Sequence, residues 1–147
     1  MVRDAGHVPE AAELALLSAA QFVVIEANAR LDAGDIEGAL DLYADDAVLE
    51  AGGGTGARGK DALRESIKYN AAAGSGRRAC HVVSNVRAIT EDDGVVIDCT
   101  QVAYLLESPR PYPAQSIHNV RYVLKPSSAG NLRIVEQRVP DYKLKTA

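Results

Sequence analysis

From Glu10 to Leu31 the apolar residues Leu14, Leu17, Val24, Ile25 and Leu31 recur at roughly helical spacing, which predicts one long helix. Gln21, Ile25, Asn28 and Asp32 fall on one stripe of it, at steps of four, three and four. Polar residues on such a stripe predict a helix that borders a polar pocket. Gly34 supplies a stop, and Asp35 caps a short second helix carrying Ile36, Leu40 and Tyr43. The acidic pair Asp45–Asp46 ends that helix, and 47–51 starts as a strand. Gly52–Gly56 reads as a loop, and Lys60 to Ala73 as a third helix with Leu63, Ile67 and Ala71 on one side. After Gly74-Ser75-Gly76 the pattern turns to strands: Ala79–Thr90, Val95–Glu107, Gln115–Lys125 and Leu132–Tyr142. A hairpin turn at 91–94, a proline-rich link at 108–113 and a turn at 126–131 separate them. Helices first and antiparallel strands afterwards is an α+β pattern. Residues 1–9 read as a flexible lead and 10–147 as a single domain.

Composition narrows the function classes. Apolar residues make up 47% and charged residues 24% of 147, an ordinary globular balance. The formal charge of −4 argues against a nucleic-acid surface. No 18-residue apolar run is evident, so no membrane partner is expected. The first ten residues lack an apolar signal core, which makes the expected location cytoplasmic. Cys80 and Cys99 lie in strand-like runs and read as small buried hydrophobes, without a disulfide.

Motif chemistry is sparse. Gly54-Thr55-Gly56-Ala57-Arg58-Gly59 fits GxGxxG, and Gly54 to Lys60 fits most of a phosphate loop. The next residue is Asp61, where such a loop needs Ser or Thr for magnesium. A turn before a helix, with Asp61 in its first turn, is the plainer reading. His7, His81 and His118 are widely spaced and no HExxH or cysteine pair is present, so neither a metal nor a cofactor is expected. Ser84 and Ser116 lie near histidines in sequence, but no GxSxG elbow exists. Asp32 and His81 remain. A carboxylate bonded to an imidazole fixes its tautomer and stabilises its charged form, as a general base requires. Separately, each has a structural reading: Asp32 as a helix-end residue, His81 as a satisfied histidine at a strand start.

The run Leu31 to Glu50, with its Gly34-Asp35-Ile36-Glu37 and Tyr43-Ala44-Asp45-Asp46-Ala47 words, resembles the opening of the nuclear transport factor two-like superfamily. That superfamily includes ketosteroid isomerase, scytalone dehydratase and the SnoaL-like polyketide cyclases. The resemblance continues through 59–67 and the strand ACHVVSNVRA to Tyr142. It implies a cone-shaped α+β fold, with N-terminal helices packed on a strongly curved antiparallel sheet around a pocket. By that register the isomerase's general base falls at Ala51 and its oxyanion-hole tyrosine at Ala27, so neither group is present. The scytalone dehydratase branch fits better. There an aspartate ending the first long helix pairs with a histidine at the start of a strand, and these fall at Asp32 and His81. Tyrosines that assist in some dehydratases fall at Ala27 or Leu31, so this pocket either lacks that help or draws it from Tyr43, Tyr69 or Tyr104. The fold by itself does not choose a substrate.

The resemblance thus implies a cofactor-independent dehydratase, isomerase or cyclase acting on a small, mostly apolar metabolite. Asp32 and His81 are its expected catalytic residues. Asn28 and Gln21 are expected to line the pocket, with Tyr43 and, from the third strand, Ser116, His118 and Tyr122. Alternation lets only one of His118 and Asn119 face inward. Family members commonly pair through the outer face of the sheet, so a homodimer is expected, although Thr100, Gln101 and Arg121 make that surface polar. The competing reading is a non-catalytic ligand-binding or assembly module, like the beta subunits of ring-hydroxylating dioxygenases. An epoxide hydrolase of the same fold is a third.

Overall fold

The computed structural model describes residues 8–51, 55–73, 79–106, 109–112 and 114–139. The elements run α1 (Ala11–Asp32), α2 (Ile36–Leu40), β1 (Tyr43–Ala51), β2 (Thr55–Arg58), α3 (Lys60–Ala73), β3 (Ala79–Glu91), β4 (Gly94–Leu105), β5 (Ala114–Pro126) and β6 (Leu132–Val139). Residues 1–7 of the expected lead, the glycines at 52–54, residues 74–78, residues 107–108 and 113 at the expected proline-rich link, and the residues beyond 139 lie outside the described set.

The six strands form one sheet in the order β2-β1-β6-β5-β4-β3. The α+β class holds, but the sheet is mixed rather than antiparallel. β3, β4, β5 and β6 form an antiparallel meander, whereas β1 runs parallel to β6. Hairpin signals report only neighbours in sequence. The pairing of β1 with the last strand is non-local and leaves no local mark.

Three local expectations change. Tyr43 opens β1 instead of closing α2, which ends at Leu40. Asp45 and Asp46 therefore sit within the strand, exposed, where the register of β1 shifts against β6. Thr55–Arg58 is a short strand rather than loop, paired antiparallel with 48–51. α1 itself is long and apolar enough, by length and composition, to cross a membrane, contrary to the sequence expectation. Its inner side instead packs into the fold.

That packing defines the core. Leu17, Ala20, Val24 and Ala27 of α1 meet Leu40 of α2, Leu63 of α3, and Ile97, Tyr122, Leu124 and Ile134 of the sheet. Each fully buried Val, Leu or Ile side chain contributes about 1.5–3 kcal/mol. In β4 the inward positions are Val95, Ile97, Cys99, Gln101 and Ala103, all buried. The outward side of α1 is also apolar: Leu14, Phe22 and Ile25 are more than half exposed. Ile25 therefore does not share an inner face with Asn28. At the end of α1, Gly34 takes φ 81°, which lets the chain turn out of the helix at no steric cost. Asp35 then caps α2, its carboxylate accepting from the Gly38 N–H at 2.9 Å.

Candidate active site

Asp32 is the last residue of α1, and His81 is the third residue of β3. α1 lies against β3, which brings together two residues far apart in sequence. Both oxygens of the Asp32 carboxylate bind His81. Oδ2 accepts from its backbone N–H at 2.7 Å, and Oδ1 lies 2.5 Å from its Nδ1. An ionised carboxylate only accepts hydrogen bonds, so the ring proton belongs on Nδ1. Nε2 then carries the lone pair. The Asp32 side chain is 19% exposed and that of His81 35%, so the pair sits at a rim rather than in the dry core.

Deeper in, a second polar cluster fills the inner face. Asn28 is buried and donates to the Val24 carbonyl at 2.9 Å and to the Tyr122 hydroxyl at 3.3 Å. Gln101 Nε2 donates to Asn28 Oδ1 at 3.1 Å and to the Tyr122 hydroxyl at 2.5 Å. Burial holds the Tyr122 hydroxyl well above the ordinary tyrosine range. Tyr43 is buried nearby and donates to Gln137 Oε1 at 2.6 Å, its hydroxyl also pushed up by burial. Gln101 and Gln137 are the residues that sequence reasoning missed. Gln101 had been assigned to the outer surface; it faces inward, because it pairs across β4 and β5 with His118. Strict alternation from Ile97 was the available signal, but apolar residues on both faces of β4 masked it.

The other expected residues divide. Ser116 and His118 are half-buried on the face that Tyr122 shares, while Asn119 is exposed. Burial, and then the nearby His81, lower the pKa of His118 below its ordinary value. Gln21 is half-buried on α1 and takes no part in either cluster. Tyr104 pairs with Cys80 in a row adjacent to His81, which alternation turns to the other face. The side chain of Tyr69 lies outside the described set. Both cysteines are free thiols, and burial raises that of Cys99 to about 11. Among the described residues no three of His, Cys, Asp and Glu gather as metal ligands. Among the described residues, Arg58, Lys60, Asp45 and Asp61 line a shallow groove of about 410 Å³ beside the glycine loop. Lys60 there pairs with Asp45 at 3.3 Å, and Asp61 with Arg64 at 2.7 Å.

Residues 24–123 match the family model described as a SnoaL-like domain. The chain belongs to the SnoaL-like domain family. No curated protein matches it closely in sequence. Solved structures match it almost end to end. An NTF2-like protein with a cystatin-like fold from Novosphingobium aromaticivorans is 21% identical, with a TM-score of 0.73 over 90% of this chain and 89% of that one. A Catenulispora acidiphila protein in complex with S-DNPA is 20% identical, with a TM-score of 0.75 over 86% and 93%. A second Novosphingobium aromaticivorans protein, assigned provisionally as a scytalone dehydratase, is 18% identical, with a TM-score of 0.68 over 91% and 92%. At these identities the likeness establishes the fold.

Proposed function

We propose that this SnoaL-like chain is a cofactor-independent acid/base enzyme, a dehydratase, isomerase or cyclase. Its substrate would be a small, mostly apolar molecule bearing a carbonyl, held between α1 and the inner face of a curved, cone-forming sheet. The observation that carries the reading is the two-point clamp of Asp32 on His81. It fixes the ring through its backbone and its side chain together, and leaves Nε2 as the basic nitrogen. His81 Nε2 takes a proton from the carbon beside the carbonyl. The electron pair moves into the carbonyl oxygen, and Asp32 stabilises the imidazolium that forms. In a dehydration the imidazolium returns the proton to a departing hydroxyl, which leaves as water while a C=C bond forms.

Asn28, Ser116 and His118 are the polar groups considered for holding the developing charge. Both N–H groups and the carbonyl of Asn28 are engaged, so the role falls to Ser116 or His118 on β5. The Asn28–Gln101–Tyr122 cluster forms the floor beneath them. The S-DNPA complex of the Catenulispora protein supports small-molecule binding by this fold. We include a homodimer in the proposal. A cytoplasmic location goes with it. The non-catalytic reading draws on one observation: the two grooves described for the surface both lie away from Asp32 and His81.

The test needs no knowledge of the product. Cyclic β-hydroxy ketones are incubated with the protein in D2O, and mass spectrometry follows deuterium uptake beside the carbonyl and loss of water. We expect uptake or water loss with the native chain. His81→Ala should lower the rate by about a hundredfold or more, and Asp32→Asn should also be damaging. Lys60→Ala should leave it intact. Wild-type rates from His81→Ala would contradict the acid/base reading.

A further inference from the structure

The outer face of the sheet carries a row of charged side chains over five strands. Arg87 of β3 stands opposite Asp98 of β4, Asp98 opposite Arg121 of β5, Arg121 opposite Arg138 of β6, and Arg138 opposite Glu50 of β1. The row crosses a groove of about 620 Å³, within the range of small-ligand sites. Three arginines and one carboxylate, Asp98, line that groove, in a chain whose own charge is −4.

The pairing inside the row is incomplete. Asp98 gives both oxygens to Arg121, at 2.8 and 2.9 Å. Arg138 binds Glu136 at 3.0 Å and Glu50 at 2.6 Å. Arg87 is exposed, and among the described residues it has no hydrogen-bond or ion-pair partner. Arg121 and Arg138 are like charges directly opposite each other, an arrangement that destabilises a bare sheet.

The backbone is bent to build this row. Ser84 pairs with Thr100, and the same register carried on would place Val86 opposite Asp98. A register shift between Ser84 and Arg87 puts Arg87 there instead. Asn85, inside the shift, adopts φ 50°, a left-handed conformation that Asn tolerates but does not prefer. Bulges of this kind re-aim side chains, and this one adds a cation to the groove. Asn85, Thr100 and Asn119 line the same groove with hydrogen-bonding groups.

We propose that the outer groove binds a small organic anion, a carboxylate or phosphate ester, held by Arg87 together with Arg121 and Arg138. The site is separate from Asp32 and His81, which lie on the helix-covered side of the sheet. Arg121 and Arg138 keep their carboxylates and flank the anion, and Arg87 supplies the guanidinium fork that no carboxylate among the described residues fills.

The full-length chain is titrated in low salt with inorganic phosphate and, separately, with succinate, following backbone amides by NMR. The expected result is saturable shifts at Asn85, Thr100 and Asn119 with one of the two, which decides between phosphate and carboxylate. Arg87→Gln should weaken binding by at least about fivefold, Arg87→Lys by less, and added sodium chloride should weaken it further. Arg87 is exposed and without partners among the described residues, so its variants keep the fold, which an unchanged Tm checks. Lys60→Ala serves as the distant control. No saturable binding of either anion, or equal binding by Arg87→Gln, overturns the proposal.

Discussion

Asp32 commits both carboxylate oxygens to one residue, and this makes His81 an oriented ring rather than a surface histidine. His118 differs in kind. Burial and the neighbouring His81 lower its pKa in the folded chain, so the unfolded chain binds its proton more readily. Stability from this group is present above the ordinary value of 6.5 and is lost as the pH falls through it toward the lowered folded value. We expect the Tm of the native chain to drop between about pH 7 and pH 5, and that of His118→Gln to drop less. Thermal unfolding at the two pH values checks this, and equal drops would contradict it. Of these residues, Asp32 and His81 were legible only through family resemblance, because no local spacing links the end of α1 to the start of β3. Gln101 and Gln137 were illegible for a different reason. A glutamine in a strand reads as surface unless the inward face is already known, and β4 carries apolar residues on both faces.

At the scale of elements, the most exacting fit is at the start of β4. A Cβ on Gly94 would stand 2.2 Å from the Leu124 carbonyl oxygen of β5. That oxygen belongs to the backbone ladder and cannot swing away. Gly94→Ala should therefore destabilise the chain by about 1–3 kcal/mol, read as a lower midpoint in urea. An unchanged midpoint would mean that the β4–β5 spacing is looser than described. The strands of the meander were readable because turn residues punctuate them and each pairs with its neighbour in sequence. β2 was missed because Thr55–Arg58 is too short and too glycine-rich for a strand pattern. α1 was readable as a helix, but its inner side was not. Leu14, Phe22 and Ile25 are exposed, while Ala20, Ala27 and Asn28 are buried, so apolarity does not mark the core.

At the scale of the molecule, the sheet separates two regions of different chemistry. One side, under α1, holds the Asp32–His81 clamp above a floor of Asn28, Gln101 and Tyr122. The other carries the arginine row and an apolar ladder, exposed to whatever docks there. The same sheet thus supports a candidate reaction site and a candidate recognition surface without sharing a side chain. The proposed reaction rests on which nitrogen of His81 bears the proton, and side-chain nitrogen NMR reads that directly, without substrate. At a pH where the ring is neutral, His81 should show a protonated Nδ1 and an unprotonated Nε2, and Asp32→Asn should shift the ring toward the other tautomer. A proton on Nε2 in the native chain, or a spectrum unchanged in Asp32→Asn, would contradict the account.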